Sequence, residues 1–336
     1  MSGGIADGVT VAGADAGVLP YVYRVTKYDP ADRDEQGNYV GVEDIRSDHG
    51  LVEAIYLDVV AAFAEDSGVS TVTIREPAVI GSAHFGVEPP IDGYGLAGLF
   101  PADLRGYHDG AEIPLAIAVE LVRAMLRDNG AWCRLEVEDR FCVHVGYDQY
   151  LYVGSVLPCR RAVDLAHALG LFAERITRSP YDHSLDDEPS AAPRAADPAF
   201  WAQARSLITE CGAVLLEEGY LQNSSRWHRL TLDNLDTVRA GLTNRSRLLI
   251  WPDLRPDVPA VLAALPGEGL SVVVWQRPDG IVTSRTVDET QYPELTAGLT
   301  GATAATILSG YADRSRPLAA AVLPDDDGVL RARWTA

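Results

Sequence analysis

Lysine is almost missing from this sequence. Of 28 basic residues only Lys27 is a lysine, which leaves 27 arginines. With abundant Ala, Gly, Asp and Val, that bias is the mark of a GC-rich genome, and arginine content alone is then no sign of phosphate recognition. Cysteine is scarce too. Cys133, Cys142, Cys159 and Cys211 have no CxxC spacing and no His at zinc-finger distances, which speaks against a structural zinc site and a disulfide framework and predicts buried free thiols in a reducing compartment. No apolar run approaches the roughly 20 residues that cross a bilayer. The first 19 residues lack a basic segment followed by a compact apolar core, so they read as a flexible leader rather than a secretory signal. The expectation is a cytoplasmic protein with no membrane partner.

Positive charge is short overall: the formal net charge is −20 and the pI about 4.6, which disfavours non-specific attraction to phosphate backbones or anionic membranes. Nucleotide and hydrolase signatures are missing as well. There is no Walker A loop, no GxGxxG after a strand, no GxSxG elbow and no HExxH, so no cofactor and no metal is expected.

What is present is ample apolar material, 47% of 336 residues, enough for two domains. The richest stretch is Leu121 to Ser155. Ile117, Leu121, Val122, Met125 and Leu126 recur at helical spacing, and Asp128-Asn129-Gly130 stops the helix. Two alternating runs follow, Trp132 to Val137 and Phe141 to Val145. A loop of Glu138, Asp139 and Arg140 pairs Val137 with Phe141 and Leu135 with Val143, which puts the apolar residues on one face. Arg134, Glu136, Cys142 and His144 then share the other. A third strand, Gln149 to Val153, carries Tyr150 and Tyr152.

Elsewhere the spacing predicts a strand over Tyr21 to Tyr28, an acidic loop over 29–48, a helix near 50–65 and a strand over 69–74. A long Gly- and Pro-rich loop over 76–111 holds His84, Glu88, Asp92, Tyr94, His108 and Asp109, a covering flap or a functional loop. A helix over 159–169 and a strand over 171–176 close the domain. Pro180, Pro189, Pro193 and Pro198 with Asp186–Glu188 mark a linker. Beyond it helices alternate with strands. One hairpin turns at Arg277-Pro278-Asp279-Gly280, and a last one, 319–323 with 329–334, turns at Asp325-Asp326-Asp327-Gly328; that acidic triplet reads as turn chemistry rather than a metal site. The expectation is an α+β protein: two mixed domains with antiparallel hairpins and covering helices, a leader at 1–19, domains at 20–177 and 199–336, and a linker at 178–198. No internal repeat is evident.

Two residue groups carry candidate chemistry. Glu136 and His144, on one sheet face, could form the acid–base pair of a small hydrolase; the competing reading is the wetted face of a half-buried sheet. Between Arg226 and Arg255 six arginines face three acids, and Arg226, Trp227, Arg229, Arg245 and Arg247 combine guanidinium with an indole in the manner of surfaces that stack unpaired bases. Tyr150 and Tyr152 offer a second platform. The alternative is that Trp227 anchors a core and the arginines pair with carboxylates.

The blocks YVYRVTKYDPADRD (21–34), VEPPIDGYGLAGLFP (87–101), LVRAMLRDNGAWCRLEV (121–137), YDQYLYVGS (147–155), SSRWHRL (224–230) and DGVLRARW (327–334) resemble a bacterial family from GC-rich genomes, some of whose members bear the generic description of RNA-binding proteins. The likeness covers nearly everything after residue 20. It implies single-stranded RNA as a ligand and implies no catalytic residues. Three functions stay open: a non-catalytic binding protein for RNA, a hydrolase using Glu136 and His144, and an acidic interaction or immunity-type module whose loop 29–48 covers a basic protein partner.

Overall fold

The computed structural model describes residues 19–42, 50–79, 95–146, 149–182, 194–311 and 315–334. The chain divides into two compact units, each α+β and each built on a seven-stranded antiparallel sheet. Among the described residues no helix is long and apolar enough to cross a membrane.

The first unit runs β1 (Tyr21–Thr26), α1 (Leu51–Asp66), β2 (Thr71–Val79), β3 (Glu112–Pro114), α2 (Leu115–Leu126), β4 (Ala131–Val137), β5 (Phe141–Val145), β6 (Leu151–Ser155), α3 (Arg160–Ala168) and β7 (Phe172–Ile176). Its strand order is β3-β2-β4-β5-β6-β1-β7. The β4–β5 hairpin has the register read from the sequence, Val137 opposite Phe141 and Leu135 opposite Val143. The same ladder extends across the sheet as Ile74–Leu135–Val143–Val153–Tyr23, an apolar row whose members are all buried. Helices cover this face. The Tyr23 ring meets Phe63 of α1 at 5.4 Å, Cys133 meets Met125 of α2, and α3 packs on α1 through Ala162 N–H donating to Asp66. Because side chains alternate along a strand, everything one position out of step points to the other face.

The second unit runs α4 (Pro198–Cys211), β8 (Val214–Leu221), β9 (Ser224–Leu230), α5 (Leu235–Ala240), β10 (Arg247–Pro252), α6 (Val258–Leu262), β11 (Ser271–Gln276), β12 (Val282–Val287), α7 (Tyr292–Gly298), β13 (Ala304–Ser309) and β14 (Ala319–Val322), in the order β13-β11-β12-β9-β8-β10-β14. Phe200, Trp201, Ala204 and Ile208 of α4 seal Val214, Leu216, Leu248 and Ile250. The opposite face buries Leu215, Trp227, Trp251, Leu254 and Val274. β12 and β9 share a single register pair, Val282 with Trp227.

Some expectations need correction. Residues 224–230 form β9, a central strand, because its neighbours supply ladder partners on both sides. β2 continues to Val79 past a bulge between Arg75 and Ala78, with Glu76 at φ 50°. The last hairpin does not form: β14 pairs with β10 instead, and residues 325–329 make a tight turn in which Asp325 accepts from Arg245 and Arg331. The acidic triplet is thus turn and ion-pair chemistry.

Candidate binding face

The face of the first sheet opposite α1, α2 and α3 collects the polar half of every alternating strand. One cross-strand row follows directly from the ladders: Arg75 lies opposite Arg134, His144 opposite Tyr152, Tyr152 opposite Arg24, and Arg24 opposite Glu174. By the β4–β5 register Arg134 stands beside His144. The next row is Thr73–Glu136–Cys142–Gly154–Val22.

His144 sits at the centre and is only 4% exposed. Tyr181 stacks on its ring at 4.0 Å and 25°, and Trp132 meets it edge-on at 4.8 Å. Neither ring nitrogen has a hydrogen-bond partner among the described residues. Burial, reinforced by the Arg134 charge and only partly offset by Glu136, holds its pKa down to about 3. Burial, with the Tyr181 and Tyr150 phenols nearby, pushes Tyr152 up to about 12. Gly146 makes room for the cluster, since a Cβ there would come within 2.6 Å of the Tyr181 ring. Burial and the Glu136 charge push the Cys142 thiol up to about 12 as well, away from the thiolate form.

At the β1 end of the row, Arg24 and Arg33 both reach Glu174 at 2.9 Å. Both guanidiniums lie near the Tyr150 ring, at 5.8 and 5.9 Å from its centroid. Tyr150 in turn meets Tyr28 at 5.7 Å, and Tyr28 meets Tyr39 at 4.6 Å. Tyr150 and Tyr152 are therefore brought together with arginine and histidine, although the local sequence carries only the tyrosines.

Glu136 and His144 do share this face, yet the hydrogen bond an acid–base pair needs is not made. The register sets Glu136 opposite Cys142 and His144 opposite Tyr152, and two rings occupy the imidazole. His108 and Asp109 do not join them: buried Asp109 accepts from Arg75 at 3.1 Å and from the Glu76 amide at 2.7 Å. His84, Glu88, Asp92 and Tyr94 lie outside the described residues.

The arginines of the second unit are largely spoken for. Arg229 makes a two-bond fork to Asp253 at 2.7 and 2.6 Å, and Arg245 does the same to Asp325 at 2.8 and 2.9 Å. Arg226 lies 4.0 Å over the Tyr220 ring and donates to Thr243. Trp227 is buried in the core and donates its indole N–H to Ser284 at 2.9 Å. Arg247, half-buried, lies against Gly219. The five do not form one open surface. Beside them, buried Glu218 accepts from His228 at 2.9 Å and from the Thr243 amide at 2.8 Å, and His228 lines an open groove of about 400 Å³ with Trp227, Arg229, Asn234, Gln276 and Ile281.

Sequence reasoning missed Arg33, Tyr181 and Glu174 on the first sheet. No local signal marks them: Glu174 meets the row only through the pairing of β7 with β1, and Arg33 and Tyr181 come from outside the strands. Among the described residues no group of three or more His, Cys, Asp or Glu could hold a metal ion. Fold and face together define an α+β protein with an aromatic, arginine-lined sheet face. No protein-family model matches the chain, and comparisons with curated proteins and with solved structures return no match.

Proposed function

We propose that the chain is a non-catalytic binding protein that takes single-stranded RNA on the face of its first sheet opposite α1, α2 and α3. The observation that carries this reading is the row Arg134–His144–Tyr152–Arg24, joined by Tyr150 and Arg33, in which two arginines flank a pair of ring planes. Aromatic rings stack bases irrespective of sequence, at about 1–3 kcal/mol per base, while arginines take the phosphates between them. RNA is also the ligand the sequence resemblance implies. A neutral His144 without a hydrogen-bonded carboxylate favours binding over acid–base catalysis. Four free cysteines, of which Cys133 and Cys159 are buried as expected while Cys142 is half-buried and Cys211 exposed, suit the reducing cytoplasm as the place of action.

Fluorescence anisotropy of a labelled short single-stranded RNA, at low and moderate salt, tests the reading. Tyr150→Ala and Tyr152→Ala should each weaken binding by about 5- to 150-fold, the equivalent of about 1–3 kcal/mol. Arg229→Ala, which breaks an internal pair, should change affinity little. Absence of binding by the unaltered protein even at low salt would discard RNA as the ligand.

A further inference from the structure

Arg33 lies just after the short turn Pro30–Asp32, in a loop pinned from both ends. Asp34 accepts from the amides of Gln36 and Asn38 at 3.0 and 2.8 Å, and Tyr39 packs on Tyr28. The loop tucks the Arg33 side chain under itself until only 8% of it is exposed. Its Nη1 donates to Glu174 Oε2 at 2.9 Å, and that same oxygen also takes both donors of Arg24, at 3.3 and 2.9 Å. Two guanidiniums thus share one carboxylate oxygen. The Nε and Nη2 of Arg33 are buried and have no acceptor among the described residues.

Such an arrangement is incomplete in a definite way. Among the described residues one carboxylate answers two cations, which leaves these three side chains one positive charge, and the donors left over belong to a planar fork suited to two oxygens of an oxyanion. The Tyr150 ring beside it supplies a wall for a base. We infer that Arg33, with Arg24, forms a phosphate subsite on this face, and that Glu174 is a built-in competitor that weakens it. The inference rests on reading the face as a nucleotide surface. The phosphate comes either from a nucleotide unit or from free inorganic phosphate.

Isothermal titration of the full chain at low ionic strength with inorganic phosphate, a 5′-mononucleotide and short single-stranded RNA separates these sources. Saturable one-site binding of inorganic phosphate is expected, with the mononucleotide tighter because its base adds stacking. Arg33→Gln should weaken phosphate by at least about tenfold, since hydrogen bonds to charged groups are the strong ones. Arg33→Lys should retain part of it, and Glu174→Gln should strengthen it. In the unaltered protein the Arg33 Nε–H resonance should shift as phosphate is added, which decides the matter even where a variant fails to fold. No saturable phosphate binding in either the unaltered protein or Glu174→Gln, or an unmoved Arg33 resonance, overturns the subsite and leaves only ordered water at those donors. RNA binding unaffected by Arg33→Gln removes the subsite and spares the RNA reading; phosphate binding at Arg33 without nucleotide or RNA binding does the reverse.

Discussion

His144 shows how burial sets the chemistry of a single residue. Its imidazole stays neutral in the fold down to about pH 3, against an ordinary value of 6.5. Between those values the unfolded chain binds the proton and the folded chain does not. Stability therefore falls as pH drops through that window, by at most about 1.4 kcal/mol per pH unit. His144→Phe keeps a ring between Tyr181 and Trp132 but cannot titrate. Its loss of urea stability between neutrality and about pH 5 should be smaller than the parent's by up to about 2 kcal/mol; equal pH slopes would locate the acid sensitivity elsewhere. Glu53 is the opposite case, a buried carboxylate held in charged form. Burial works against its charge, but hydrogen bonds from Arg127 and Arg123 outweigh it and keep the pKa below the ordinary range. Glu53→Gln should cost about 1–3 kcal/mol at neutral pH in chemical denaturation, because both arginines lose an ionic acceptor that joins α1 to α2.

At the scale of elements, strand alternation was the dependable signal, and the cap of α4 came to light only in the structure. α4 starts where Asp197 accepts from the Phe200 amide at 2.8 Å with Pro198 in the first turn, and it stops at Gly212, φ 84°. Asp197→Ala should lower stability by about 1 kcal/mol in a denaturant titration, and an unchanged midpoint would mean the helix is held by packing alone. The β4–β5 register was legible because a one-residue slip would have turned Leu135 and Val143 out of the core. β9 was not, since SSRWHRL has only Trp227 and Leu230 as buried apolar residues and its strand character comes from its neighbours. The pairing of β14 with β10 rather than with the chain end has the same origin: Ala319 and Ala321 face Ile250 and Leu248 within the α4-covered core.

For the molecule as a whole, a net charge of −20 implies self-repulsion that salt screens. The thermal midpoint should rise between low and moderate sodium chloride; a fall would mean that attractive pairs such as Arg229–Asp253 outweigh the net repulsion. Composition, strand alternation and turn residues determined by themselves that the chain is α+β, which side chains share a sheet face, and that Glu136 and His144 lie on the polar one. Those properties follow from local geometry, because a period of two residues is built into every strand. Tertiary structure alone decided what meets what on that face. Arg33 finds Glu174 across 141 residues, and Tyr181 closes over His144. Strand order settles such contacts, and strand order emerges from the competition of all apolar faces for burial at once, which no local stretch of sequence encodes.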